Sequence, residues 1–395
     1  MFGSQMITLV RGRFGSAASQ VIEQTRAFGP ISRDELTRRT GLSNATINRT
    51  VAQMLRAGLL AERPDEVVVG ANGRPGIPVE VDGSSFATLG FHVGHGVDTV
   101  AIGDLAGRVL GQRRVTRPLD SAPDLEALAR VSAELLGGLP GRSPLAAGLV
   151  APWADLDLDR EAMGEELGEL LGLDVTTAEH VAAIAATEFL HRRAGTGGVT
   201  LYVYARNTVG FALAVDKGAV TEVSRVGSLT HFPAGPDTPC ECGGTGHLAA
   251  NYSDHALLAR GVAGGAVSAE ATIDDLVAAA GTDARARALL EERAVAMGRV
   301  AAIVRDMVAP HRVVLVGQGF TAYPPALAST LDAFRAHSAG AEVELSVTRF
   351  GGGIQAAAAC TVALGPIYDD PLGLAPAVRD TPLPIPAPST KGNIA

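Results

Sequence analysis

Between Ser32 and Leu60 the chain reads SRDELTRRTGLSNATINRTVAQMLRAGLL, and this stretch leaves few folds open. Ser32 with Glu35 three residues on has the form of a capping box, Thr40-Gly41-Leu42 makes a short turn, and Ser43 can cap a second helix ending at Gly58. Leu36, Ile47, Val51 and Leu55 supply an apolar seam between the two helices. Upstream, SAASQVIEQTRAFG sets Ala18, Val21, Ile22 and Thr25 on one side of a further helix that stops at Gly29-Pro30. Downstream, two β-like runs flank GANGRPG, a turn rich in Gly and Asn. Three helices followed by a hairpin predict a winged helix-turn-helix over residues 12–83.

Charge agrees with that reading. The first sixty residues hold eight arginines against Glu23, Asp34 and Glu35, a surplus of +5 in a chain whose net charge is −9, so the remainder carries −14. A basic head on an acidic body suits a protein that meets nucleic acid through the head alone. The second helix of the pair is expected in the major groove, with Ser43, Asn44, Thr46, Asn48, Arg49 and Gln53 at its outward positions. Asn can pair bidentately with adenine and Arg with guanine, whereas Ser43 and Thr46 suit phosphate. Arg74 at the wing tip is placed for a narrow minor groove. The expected partner is a double-stranded DNA operator, and two half-sites about one helical turn apart predict a homodimer or homotetramer.

Residues 84–371 alternate strand-like and helix-like segments, among them FATLGFHVGHGVDTVAIGDLAGRVL and VAMGRVAAIVRDMVAPHRVVLVGQG, which argues an α/β body with buried sheets. Residues 372–395 hold many prolines without periodicity and are expected to be an extended or disordered tail. With 395 residues, 47% of them hydrophobic, the chain can build two or three domains. No apolar run is long enough to span a bilayer, and MFGSQMITLV lacks the regions of a signal peptide, so a cytoplasmic protein without membrane contact is expected. Cys240, Cys242 and Cys360 do not suggest a disulfide framework in that setting, and the close pair reads as a ligand pair.

These features together resemble the ROK family of repressors and sugar kinases. The most specific carrier is the family's Cys-x-Cys-Gly-x-x-Gly-Cys-x-Glu motif, here CECGGTGHLA, followed by SDHAL. The winged head with GRPG resembles the transcriptional-regulator branch. The resemblance covers about residues 12–370 and implies a two-lobed actin-like, ribonuclease-H-like body.

It also implies that the kinase chemistry has been lost. The metal-binding Asp of the kinases' first strand is His92 within HVGHG, a poor ligand for Mg²⁺, which prefers hard oxygen donors. Their second phosphate loop reads ARNTVG, Ala205 to Gly210. Their catalytic base aligns with Glu179 and His180, and Glu188 matches a downstream acid. A sugar-binding Glu is replaced by Ser228 in GSLTH, and the Glu that closes the cysteine motif by Ala249. Glu179, His180, Ser228 and His231 are therefore the expected lining of a ligand pocket without catalytic residues. In the family a His and three Cys bind structural zinc. Here the matching set is His231, Cys240, Cys242 and His247, which predicts one structural Zn²⁺ per chain.

The sequence thus predicts a non-enzymatic, sequence-specific DNA-binding regulator with a sugar or other metabolite as effector, and the resemblance implies that it serves carbon or specialised metabolism. Two alternatives stand beside it. An ATP-dependent sugar kinase with a DNA-binding head would release ADP in the presence of a hexose. A zinc-responsive regulator would lose operator affinity when a chelator strips its metal.

Overall fold

The computed structural model describes residues 6–10, 15–67, 76–119, 121–191, 197–216, 220–340 and 342–374. Two compact units emerge, a first of residues 10–183 with 355–395 and a second of residues 1–9 with 184–354. The chain opens on strand β1 (Met6–Val10), at the edge of the second unit's sheet.

The head follows as α1 (Ala17–Phe28), α2 (Arg33–Thr40) and α3 (Asn44–Ala57). The three serines before these helices act as caps: Ser16, Ser32 and Ser43 accept from the backbone N–H of Ser19, Glu35 and Thr46. Gly41 and Gly58 end α2 and α3 in the left-handed conformation, at φ 72° and 74°. Two expectations shift. The Glu35 carboxylate binds Arg38 and Arg39 instead of closing a capping box with Ser32. Met54 joins Ile47 and Val51 as a fully buried residue of the α3 seam, and Leu55 is only half-buried against the same cluster. Strands β2 (Leu60–Glu62) and β3 (Val79–Val81) pair antiparallel, Leu60 with Val81 and Glu62 with Val79, and form the base of the wing.

The first unit's sheet begins with an antiparallel meander of β4 (Phe86–His92), β5 (Val97–Gly103) and β6 (Val109–Thr116). After α4 (Leu125–Gly137), β7 (Ser143–Ala151) returns parallel beside β4; after α5 (Arg160–Leu171), β8 (Val175–Glu179) lies parallel beside β7. β4 is buried along its whole length and β7 beyond its first residue, which is why both read as apolar runs without alternation.

Helix α6 (His180–His191) leads to the second sheet, where β9 (Gly198–Ala205), β10 (Val209–Asp216) and β11 (Val220–Ser228) again form an antiparallel meander. A loop of residues 229–247 precedes α7 (Leu248–Tyr252), α8 (Asp254–Ala263), α9 (Ile273–Ala279) and the long α10 (Ala284–Val308). Strand β12 (Arg312–Val316) then pairs parallel with β9, and after α11 (Gln318–Thr321) and α12 (Leu327–His337), β13 (Glu344–Val347) pairs parallel with β12. The strand orders β6-β5-β4-β7-β8 and β11-β10-β9-β12-β13 are the same 3-2-1-4-5 pattern. This duplication is the two-lobed actin-like, ribonuclease-H-like architecture implied by the motifs.

Helix α13 (Ile354–Asp369) packs on the first sheet with its backbone almost touching the strands. A Cβ on Gly148 would lie 2.3 Å from the Ala359 carbonyl oxygen, and one on Gly90, its partner across β4 and β7, 2.8 Å from the Cys360 nitrogen. Beyond it, Pro371–Leu374 form the helical turn α14; residues 375–395, the rest of the expected tail, lie outside the described residues. Ile22, Leu36, Ile47 and Val51 of the head share one apolar cluster with Phe86, Leu105, Leu364 and Ile367. Among the described residues, no helix is long and apolar enough to cross a membrane.

Candidate metal centre, ligand pocket and DNA-reading helix

The loop after β11 folds back on itself through short bridges that pair Pro233 with His247 and Pro239 with Thr245. Gly243 and Gly246, at φ 85° and 71°, make the reversals that a side chain would resist. The loop gathers His231, Cys240, Cys242 and His247, whose ligand atoms all lie within 4.8 Å of one another. The two imidazoles face each other through Nδ1 at 3.3 Å, Cys240 Sγ lies 3.6 Å from His231 Nδ1, and Cys242 Sγ lies 3.2 Å from His247 Nδ1. A tetrahedral ion with bonds of ~2.0–2.3 Å separates its ligand atoms by ~3.3–3.8 Å, so these spacings and donors fit a thiolate–imidazole site. His247 reaches the cluster from the residue just before α7, where the family motif has a cysteine.

The four residues expected to line a ligand pocket divide between the units. In the first, Glu179 ends β8 and turns its carboxylate back to accept from Val181 N at 2.8 Å and Ala182 N at 3.3 Å, capping α6. His180, at the first position of α6, is 3% exposed and sits 2.6 Å from the Nε2 of His92 through its Nδ1. The turn after His92 is braced by buried Asp98, which accepts from Gly94 N at 3.1 Å and pairs with Arg117 at 3.0 Å. Burial raises the Asp98 carboxyl above its usual range despite the Arg117 charge beside it.

In the second unit, exposed Ser228 donates to Thr230 Oγ1 at 2.8 Å, while His231 belongs to the His/Cys cluster. The loop Ala205–Gly210 is stapled to α8. Arg206 pairs with Asp254 at 3.2 Å, buried Arg293 pairs with the other oxygen of Asp254 at 2.7 Å, and Asn207 Oδ1 accepts from His255 N. Glu188, also in α6, is buried and accepts from Thr348 Oγ1.

Ser43 at the cap of α3 and Asn44, Asn48, Arg49 and Gln53 on the helix face solvent, and Thr46 is half-buried. Ser43 and Thr46 share a hydroxyl contact of 2.9 Å, and Asn44 Oδ1 accepts from Thr37 Oγ1 of α2 at 2.8 Å, which fixes the start of the helix. Arg74 lies outside the described residues. Sequence reading passed over Thr37, the Arg206–Asp254–Arg293 network and Asn251 behind the His/Cys loop. Each acts through partners distant in sequence or with no period of its own; a buried Asp near two arginines leaves no local trace.

Comparison with known proteins places these features. The sequence profile of the ROK family matches residues 89–346. Transcriptional regulator Rv0485 of Mycobacterium tuberculosis is 37% identical over 386 residues, covering 91% of this chain and 87% of its own. The DNA-binding transcriptional dual regulator NagC of Escherichia coli is 22% identical, covering 79% and 82%. Among solved structures, a ROK family transcriptional regulator described as a homologue of the E. coli MLC protein superposes with a TM-score of 0.68 at 21% identity, over 91% of this chain and 97% of its own. A ROK family glucokinase from Streptomyces griseus, solved with glucose and AMPPNP, gives 0.57 at 18% identity over 70% and 99%.

Proposed function

The chain belongs to the ROK family and to its transcriptional regulators, and from that premise we propose that α3 reads an operator, that the His/Cys loop holds one structural Zn²⁺, and that the body is without phosphotransferase activity. The observation that carries the reading is the head: three serine-capped helices that present Asn48, Arg49 and Gln53 on one solvent-facing side of α3. A helix so presented enters the major groove, and Arg49 is suited to bidentate contact with guanine. Arg49→Ala is expected to weaken operator binding by about 1–3 kcal/mol, roughly 5- to 150-fold, with unchanged circular dichroism. A gel shift on operator fragments recovered by genomic pull-down reads this, and equal affinity of variant and wild type refutes the assignment. The second half-site comes from a second copy, so the working species is a homodimer or a dimer of dimers.

Zinc in this loop would have four protein ligands and no open position, so it supplies folding energy to the loop and no hydrolytic chemistry. Elemental analysis should give one zinc per chain, and none in a Cys240→Ser/Cys242→Ser variant. The loss of phosphoryl transfer is supported by what the aligned residues now do. His92 and His180 bond to each other, Glu179 caps α6, and Arg206 holds the former phosphate loop against Asp254. With Ser228 and Ala249 where the kinases have carboxylates, the effector we infer is a metabolite that does not depend on charged acceptors at those positions.

A further inference from the structure

We infer that Asn251 is the positioning residue that holds the metal loop in ligand geometry, an inference that rests on reading the loop as a zinc clip. Asn251 lies in α7, is 1% exposed, and directs its whole amide at the loop. Oδ1 accepts from Thr238 Oγ1 at 2.7 Å, while Nδ2 donates to the carbonyl oxygens of His247 at 2.9 Å and Pro236 at 3.2 Å. One side chain therefore grips the loop ahead of the cysteines and the backbone of the last ligand. It touches carbonyls and a hydroxyl, not the ligating atoms, so its effect passes through the loop.

The surroundings are fitted to that amide. A Cβ on Gly235 would sit 2.5 Å from Nδ2, so glycine there lets the amide approach. The carbonyl of Asn251 accepts from Arg260 at 3.2 Å, and Arg260 pairs with Glu292 of α10 at 2.6 Å, which anchors the short helix from behind. The chemistry selects Asn. One acceptor and two donors are needed in one plane; Asp would set an oxygen against two carbonyl oxygens, and Leu would remove a donor from both carbonyls and the acceptor of the Thr238 hydroxyl, leaving Pro236 O with the Thr238 N–H at 2.7 Å. The ligands are separated along the chain by stretches that the metal alone would have to order, and a loop ordered beforehand binds it more tightly. Outer partners of this kind change metal affinity by roughly 10- to 100-fold when removed.

The test uses the full chain, loaded with Zn²⁺ to follow its release to excess chelator and with Co²⁺ to read the visible spectrum of a tetrahedral thiolate–imidazole site. Asn251→Leu and Asn251→Asp are expected to release Zn²⁺ about 10- to 100-fold faster and to weaken the Co²⁺ bands, with far-ultraviolet circular dichroism unchanged. Thr238→Val should shift both readouts in the same direction, and Thr238→Ser, which keeps the hydroxyl, should restore them. Wild-type release and spectrum in Asn251→Leu overturn the inference. Should that variant fail to fold, equal behaviour of Thr238→Val and Thr238→Ser overturns it instead. A wild-type chain that takes up neither metal overturns the zinc reading itself, a result distinct from a loaded wild type with indifferent variants.

Discussion

At the scale of single residues, the three cysteines differ in burial and so in chemistry. Cys242 is exposed and Cys240 half-buried in the His/Cys loop, whereas Cys360 is buried against the first sheet, where loss of solvent pushes its thiol up to about 12. The thiolate is the reactive form, so at pH 8 an aromatic disulfide reagent should titrate two thiols in chelator-treated native protein and a third only after unfolding. Three fast thiols in the native state would contradict this environment for Cys360. Three of the four candidate metal ligands, Cys240, Cys242 and His247, were legible in CECGGTGH because a close Cys pair is itself a chemical signature, and His231 followed from the family resemblance. Asn251 was not, because within LAANYS nothing distinguishes an amide that grips a loop from a solvated one. His180 was legible as a pocket candidate, but its bond to His92, 88 residues away, follows only from the parallel return of the chain.

At the scale of elements, local signals did most for the head. Serines and glycines set the ends of α2 and α3, and the apolar spacing found the seam with one exchange, Met54 for Leu55. The capping box failed by half because Arg38 and Arg39, one turn on, offer Glu35 full charges where Ser32 offers a single N–H. The seat of α13 was not legible, since it depends on Gly90 and Gly148 becoming neighbours across parallel strands. That seat makes a strong demand. Gly148→Ala places a methyl group 2.3 Å from the Ala359 carbonyl oxygen and 2.7 Å from the Ala363 nitrogen, both backbone atoms of a helix that cannot yield locally. The helix must lift from the sheet, at a cost of about 1–3 kcal/mol. Chemical denaturation should show that loss as a lower midpoint with an unchanged slope. Gly137→Ala, at a helix end where a Cβ meets nothing within 4 Å, is the control and should leave the midpoint in place.

At the scale of the whole chain, repetition and fusion explain different things. The repeated 3-2-1-4-5 sheets account for the alternation seen in the sequence. They place His92 at the end of the first strand of one sheet and the ARNTVG loop after the first strand of the other. Fusion concerns the head: its helices close over the same apolar cluster that holds Leu364 and Ile367 of α13, and Arg26 of α1 stacks near Tyr368, whose hydroxyl donates to the Leu105 carbonyl at 2.7 Å. A head on a flexible tether would melt by itself; one that shares its core should not. Trp153, the sole tryptophan, is buried beside β8 with its indole N–H bonded to Ala178 O at 2.8 Å, so its fluorescence reports on the first sheet from a position outside the head. Ile22→Ala removes a side chain with no exposed surface from α1, and a buried Ile→Ala change costs about 2–5 kcal/mol. If the cores are one cooperative unit, that loss must appear in the Trp153 unfolding midpoint as fully as in operator binding. A Trp153 midpoint equal to wild type, with operator binding lost, would mean that the head folds alone and that the shared cluster is contact without coupling.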